Sequence, residues 1–281
     1  MLKKTLKSGI TIPALGFGTW EMGGRNTKDD SEDEKYIQAI QTALQAGYRH
    51  IDTAEMYGNG HTETLVAQAK EGYQREELFI TSKVAKHNLA YRDVMKAAEQ
   101  SLSRLETDYL DLYLVHHPNP DLPVKDTMKA MDELVDKGMV RAIGVSNFNI
   151  AQLREAMEEA RQPIDVNQIE YNLLTRNAGK FNVDMETSII PFCEENGINV
   201  MAWRPLAKGD IDGENVVIAY LMEKYDKTAI QIALNWLIHR KNMATIAKAT
   251  SKHHIEENFQ AVNFKMNDED YRVLDMLNTD K

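Results

Sequence analysis

Leu78-Phe79-Ile80-Thr81-Ser82 and Tyr109-Leu110-Asp111-Leu112-Tyr113-Leu114-Val115-His116 are two β-prone runs, and between them Val94, Ala98, Leu102 and Leu105 recur at helical spacing. A strand, a helix and a strand in that order read as two parallel strands joined by a crossover helix. The same rhythm extends in both directions, with strand candidates at Leu15-Phe17, His50-Thr53, Ala142-Val145, Val166-Glu170, Asn199-Ala202 and Thr245-Ala247, making eight. Helical spacing recurs at Ile37, Ile40 and Leu44, at Leu153 and Met157, at Val217 and Leu221, and at Ile230, Leu234 and Leu237. Ser31 followed by Glu34 reads as a capping box, Asn149 as a helix start, and Gly47, Gly138 and Gly197 as helix stops. Eight units in 281 residues, without a Pro/Gly/Ser-rich linker, predict one α/β domain over 1–281, a (β/α)8 TIM barrel. Two short runs around Ser8-Gly9 predict an N-terminal β-hairpin that could plug one end, and Asp268-Leu277 predicts an extra C-terminal surface helix.

Composition narrows the function. The chain is 43% apolar and 27% charged, enough to bury a large core, which excludes disordered and fibrous classes. No apolar run reaches the roughly 18 to 20 residues that cross a bilayer, and no signal-peptide core follows Met1-Leu2-Lys3-Lys4, so a soluble cytoplasmic protein is expected, without a membrane partner. With 33 basic against 43 acidic residues the net charge is −10, and the basic residues are dispersed, so nucleic acid is not an expected partner. Cys193 is the single cysteine and reads as a small buried hydrophobe. The eight histidines show no His-x-His spacing, and His116-His117 and His253-His254 are adjacent pairs that would diverge on a strand; no metal site is expected, which argues against a metal-dependent barrel hydrolase.

In a barrel the chemistry sits where strands run out into loops. Asp52 and Tyr57 lie in Asp52-Thr53-Ala54-Glu55-Met56-Tyr57-Gly58-Asn59, Lys83 follows Phe79-Ile80-Thr81-Ser82, and His116 ends the next strand. A lysine held charged by an aspartate and placed beside a phenol is expected to lower that phenol's pKa from about 10, making Tyr57 a usable acid.

These stretches, with Asp111 to Pro118, Gly144-Val145-Ser146-Asn147-Phe148, Gly16-Phe17-Gly18-Thr19-Trp20 and Val166-Asn167-Gln168-Ile169-Glu170-Tyr171, resemble the aldo-keto reductases over essentially the whole chain, as in short-loop bacterial members related to 2,5-diketo-D-gluconate reductases. The resemblance implies a tetrad with Tyr57 as general acid, Lys83 lowering its pKa, Asp52 holding Lys83, and His116 orienting a carbonyl, in an NAD(P)H-dependent reductase of small aldehydes and ketones. It also implies a monomer.

No Gly-x-Gly-x-x-Gly follows a strand and no phosphate-cradling Gly-x-x-x-x-Gly-Lys-[Ser/Thr] occurs. The resemblance instead lays a dinucleotide across the barrel mouth, with Thr19 and Trp20 nearby, Ser146, Asn147 and Gln168 on the nicotinamide carboxamide, and Trp203 stacked on its ring. Arg204, followed by Leu206, either reaches the pyrophosphate or pairs with an acidic neighbour. At the far end Lys248, Glu257 and Asn258 match the family's adenosine-binding pattern, while Ala249 replaces a serine and His254 an arginine; Lys248, Ser251, Lys252 and a helix N-terminus remain for a 2′-phosphate. NADPH is the expected coenzyme, with NADH possible. Substrate would meet Trp20, Met56 and His117, and the loop of about nine residues after the fourth strand, with the short segment after Leu277, implies an open mouth suited to small or aromatic aldehydes and dicarbonyls. The alternative is a non-catalytic, dinucleotide-binding redox sensor on the same barrel.

Overall fold

The computed structural model describes residues 2–277. Strands β1 (Lys3–Thr5) and β2 (Thr11–Pro13) pair antiparallel in a hairpin turned at Ser8 and Gly9, where Leu6 N–H donates to the Ile10 carbonyl at 2.7 Å. Among the described residues eight further strands close into a parallel barrel: β3 (Leu15–Gly18), β4 (His50–Asp52), β5 (Phe79–Val84), β6 (Leu110–Val115), β7 (Val140–Ser146), β8 (Ile164–Glu170), β9 (Asn199–Trp203) and β10 (Met243–Ala247), with β10 bonded back to β3. Each coincides with a strand expected from the sequence.

Outside the barrel lie α1 (Asp33–Ala46), α2 (His61–Ala69), α3 (Tyr91–Leu105), α4 (Val124–Asp136), α5 (Ile150–Glu159), α6 (Ile190–Glu195), α7 (Val216–Tyr225), α8 (Ala229–His239) and α9 (Lys252–Phe259). The faces that periodicity marked are the faces that bury: Val94, Ala98, Leu102 and Leu105 of α3 all enter the core. α5 starts as expected, with Asn149 accepting from Gln152 N–H in a capping box. The expected cap at Ser31 does not form: Glu32 is the residue before α1, and the Ser31 hydroxyl donates instead to Asp29 at 2.6 Å, because a local turn offers it a nearer carboxylate. The terminal helix α10 (Asp268–Asp275) buries Leu274 and leaves Val273 half-buried, tied down by Arg176 donating to the Leu274 carbonyl and by Trp236 Nε1 donating to Asp275 at 2.8 Å.

Leu6 and Ile12 of the hairpin region pack with Phe79, Leu112, Leu114, Val166 and Met201 inside the barrel. The hairpin is fastened there by Ser8 N–H to Asp165 Oδ1 (2.8 Å) and Asn199 Nδ2 to the Thr5 carbonyl (3.1 Å). With that end closed, the C-terminal ends of the strands are left as the mouth. Gly16 is required by a neighbour inside: a Cβ there would stand 2.4 Å from His50 Nδ1. Cys193 is buried, and burial pushes its thiol up to about 12, as befits an inert apolar filler. No helix among the described residues is long and apolar enough to cross a membrane.

Candidate active site

Strand side chains alternate between two faces, so one inward residue fixes the others. In β6, Leu112 and Leu114 point inward, and His116 continues that row out to the mouth, while Tyr113 and Val115 face the helices. In β5 the inward row is Phe79, Thr81 and Lys83, and in β4 it is His50 and Asp52. The register pairs Asp52 with Thr81 and Lys83 with Leu114, so Asp52, Lys83 and His116 step two residues further out from each strand to the next toward the mouth. Tyr57 reaches that level from a tight turn, Tyr57–Gly60, where Gly58, Asn59 and Gly60 take φ of 55°, 54° and 90°. A Cβ on Gly58 would lie 2.4 Å from the Gly23 carbonyl oxygen, so this turn needs glycine on both steric and conformational grounds.

All three Lys83 ammonium protons are engaged, donating to Asp52 Oδ1 at 2.5 Å, the Thr53 carbonyl at 2.7 Å and Tyr57 Oη at 3.4 Å. Gln168 Nε2 donates to the other Asp52 oxygen at 2.9 Å. Lys83 and Asp52 are sealed at 0% and 1% exposure, Lys83 beneath the floor and Asp52 within it, whereas Tyr57 and His116 keep 7% and 8% at the surface of the mouth. Burial pushes the Asp52 carboxyl up and the Lys83 ammonium down, each opposed by the charge of the other. The Tyr57 phenol departs from the sequence expectation. Burial, and then the Asp52 charge, raise it well above 10, because Asp52 already balances the lysine. The resting phenol is therefore protonated. His116 is held well below the usual imidazole range by burial, with the Lys83 charge adding to it, and is neutral.

A cleft of about 1190 Å³ opens over this group. Asp52, Tyr57 and His116 form part of its floor, and Trp20, Met56 and His117 stand beside them, with the Trp20 ring edge-on to Tyr57 at 4.7 Å and the His117 ring stacked on His116 at 4.9 Å. Ser146, Asn147 and Gln168 line the next stretch of wall. They are interlinked: Ser146 Oγ donates to the Gln168 carbonyl (3.0 Å), Asn147 Nδ2 to Ser146 Oγ (2.9 Å), and Trp203 Nε1 to Asn147 Oδ1 (3.1 Å). Arg204 and Leu206 continue the wall, and Lys248, His254, Glu257 and Asn258 close the far end. Arg204 Nη1 donates to Glu170 Oε1 at 3.2 Å, the acidic-neighbour alternative.

Three of the sequence-selected residues do not line the cleft. Lys83 lies behind Asp52 and Tyr57; the Thr19 hydroxyl is fully buried and donates to the Asp52 carbonyl at 2.9 Å; Ser251 is exposed and caps α9 by accepting from His254 N–H at 3.3 Å. Lys252 is also directed away, pairing with Glu256 at 3.8 Å.

Sequence reasoning missed Phe181 and Lys180. Both lie in the irregular segment after β8, where Lys180 N–H donates to Glu170 Oε2 at 2.7 Å and Phe181 sits edge-on to His117 at 4.7 Å. An aromatic beside a lysine in a long connection at a strand's C-terminal end was the available signal. The adjacent pair His253-His254 falls on the first turn of α9, not on a strand, so the two side chains do not diverge as on a strand, and with Glu257 their donor atoms lie within 4.8 Å of one another.

Two buried histidines, His50 inside the barrel and His116 at its mouth, and the half-buried His117 give the protein a pH signature. Burial, with the Lys83 charge behind it, pushes His50 down to about 3; burial and then Lys86 and Lys180 push His117 down to about 4. Since the unfolded chain titrates near 6.5, it holds more protons than the native state below that pH, so each such group's stability contribution is complete above about 6.5 and lost as pH falls. His50→Gln, which can keep the bond to Thr81, isolates one of them. The stability difference, wild type minus variant, should fall by about 1.4 kcal/mol per unit as pH drops from 6 to 4, measured by urea unfolding. A pH-independent difference would show that His50 is charged in the native state.

The aldo/keto reductase family model matches residues 14–279. A glyoxal reductase of Bacillus subtilis (strain 168) is 37% identical over 284 residues, spanning 100% of this chain and 95% of that protein. Among solved structures, a thermostable aldo-keto reductase in complex with the inhibitor epalrestat superimposes with a TM-score of 0.91 at 41% identity, covering 98% of this chain and 99% of that one. An aldo-keto reductase from Klebsiella pneumoniae in complex with NADPH gives 0.86 at 32% identity, covering 100% and 97%. A closed eight-stranded barrel, a plugged lower end and a Tyr-Lys-Asp-His cluster at the upper one thus accompany a match along almost the full length, and the chain belongs to the aldo/keto reductase family of oxidoreductases.

Proposed function

We propose that this chain reduces small aldehydes and dicarbonyls with NADPH, using Tyr57 as the proton donor. The observation that carries the reading is the buried Asp52–Lys83 pair 3.4 Å beneath the Tyr57 hydroxyl, with neutral His116 beside it at the mouth. The glyoxal reductase relative and the NADPH-bound neighbour support the substrate class and the coenzyme.

The cleft fits a nicotinamide dinucleotide. It exceeds the roughly 300–1,000 Å³ of ordinary small-ligand pockets, and its wall offers an indole, side-chain amides and, at the far end, a lysine beside a helix N-terminus. Trp203 would face the nicotinamide ring, Ser146, Asn147 and Gln168 its carboxamide, and Lys248 with His254 the adenosine phosphate. When bound, the reduced nicotinamide supplies the hydride that adds to the carbonyl carbon.

The protein's part is positioning and proton transfer. His116 Nδ1 is buried without a hydrogen-bond partner, so the ring proton belongs on Nε2, from which it can donate to the substrate oxygen and orient the carbonyl. Tyr57 passes its proton to that oxygen as negative charge builds on it, giving the alcohol. The phenolate left behind is stabilised by Lys83, whose ammonium Asp52 keeps charged. A high resting phenol pKa is no obstacle, because the acid is needed protonated.

The test is absorbance at 340 nm with NADPH and, separately, NADH, using glyoxal, methylglyoxal and 4-nitrobenzaldehyde. Multiple turnover with NADPH preferred is expected; coenzyme binding without turnover would overturn the reading in favour of a sensor. Lys248 is the cation of the far wall, its pKa lowered by burial. Lys248→Met should raise KM for NADPH about tenfold and change KM for NADH little, since only NADPH carries the 2′-phosphate. Equal effects on both would place Lys248 away from that phosphate.

A further inference from the structure

We propose that His253, His254 and Glu257 form a surface site for a borderline transition-metal cation such as Zn²⁺ or Co²⁺, and that its occupancy opposes coenzyme binding. The second half rests on the reading of the cleft given above; the first does not.

The donor set is one imidazole nitrogen from each histidine and a carboxylate oxygen, the chemistry that such cations prefer. Glu257 follows His253 by four residues and His254 by three on α9, the two spacings that bring helical side chains to one face. The histidine rings are tilted 51° to each other with centroids 5.4 Å apart, and all three donor atoms already lie within 4.8 Å of one another. Metal–ligand bonds of about 2.0–2.2 Å put two donors no more than about 4 Å apart, so capture needs an adjustment of only about 1 Å. Both histidines are exposed and free to make it.

Two further features favour a cation and link it to the coenzyme. A cavity of about 730 Å³ between α7, α8 and α9 shares His253 and Glu257 with the site, and three further carboxylates, Glu223, Asp226 and Glu256, line it against the single cation Lys227. That carboxylate-rich wall opposes the positive end of the α9 dipole. On the other flank of α9, His254 and Glu257 line the far end of the coenzyme cleft. The ridge between the two cavities therefore carries residues with two uses. An ion held by them draws His254 and Glu257 out of the cleft wall, so cation and coenzyme oppose each other, each weakening the other's binding by the same factor.

The experiment uses the untagged full-length enzyme. Titration with Co²⁺ is followed by its visible absorption, Zn²⁺ is added in competition, and NADPH affinity is measured by fluorescence with and without saturating Zn²⁺. One equivalent of Co²⁺ should bind and be displaced by Zn²⁺, His253→Ala should weaken binding at least about tenfold, and the same change at the distant exposed His87 should leave binding unaltered. Zn²⁺ should weaken NADPH binding several-fold in wild type and not in His253→Ala. Absence of saturable binding, or binding equally lost in His87→Ala, would overturn the site. Zn²⁺ binding that leaves NADPH affinity unchanged would overturn the antagonism. A protein that binds Co²⁺ through His253 but no coenzyme would refute the proposed function while upholding the site.

Discussion

Tyr57→Phe is expected to lower kcat for aldehyde reduction by about 10³-fold, within the 10²–10⁴ that a positioned acid supplies, while NADPH affinity stays within about twofold. The substitution removes one oxygen from a ring that keeps its place: the edge-on contacts with Trp20 at 4.7 Å and His116 at 5.7 Å are made by the ring, and the turn that presents it depends on Gly58 and Gly60. KM for the aldehyde should change less than kcat, because the proton matters most where charge has developed on the carbonyl oxygen. Stopped-flow single turnovers separate the chemical step from coenzyme release. A variant with wild-type turnover would remove Tyr57 from the role of acid and shift that role to another donor at the mouth, His116 being the one beside it.

Lys83→Met should cost about 3–5 kcal/mol of stability as well as activity, because it leaves Asp52 charged at 1% exposure without its partner. The double variant Lys83→Met/Asp52→Leu should recover most of that stability, since two apolar side chains fill the space that the pair fills now. It should recover none of the activity, because nothing then stabilises the Tyr57 phenolate. Urea unfolding and the 340 nm assay on the same preparations test both halves. A single variant costing under about 1 kcal/mol would mean that Asp52 is neutral without the lysine, in keeping with the upward push that burial gives its carboxyl. Activity in the double variant would show that the phenol needs no cation beside it.

Most of the frame was legible in the chain because its signals are local. Leu112, Leu114 and His116 share a face by alternation alone, and the α3 stripe of Val94, Ala98, Leu102 and Leu105 follows from 3.6 residues per turn. Those two periods gave the strands, the helices and the end of the barrel at which ionisable groups collect. Ser31 misled because a cap is decided among neighbours only a residue or two apart, and Asp29 competes for the same hydroxyl.

The sequence by itself thus determined the element order and the four residues, Asp52, Tyr57, Lys83 and His116, that collect toward the C-terminal ends of β4, β5 and β6. Only the tertiary structure decided how those residues behave, since charge state and pairing depend on groups brought together from distant parts of the chain. Gln168 reaches Asp52 across 116 residues, and Arg204 is satisfied by Glu170 from the neighbouring strand. Desolvation likewise arises from closure of the whole barrel: it raises the Tyr57 phenol that Lys83 alone was expected to lower, keeps His116 neutral, and has no counterpart in any local stretch of sequence.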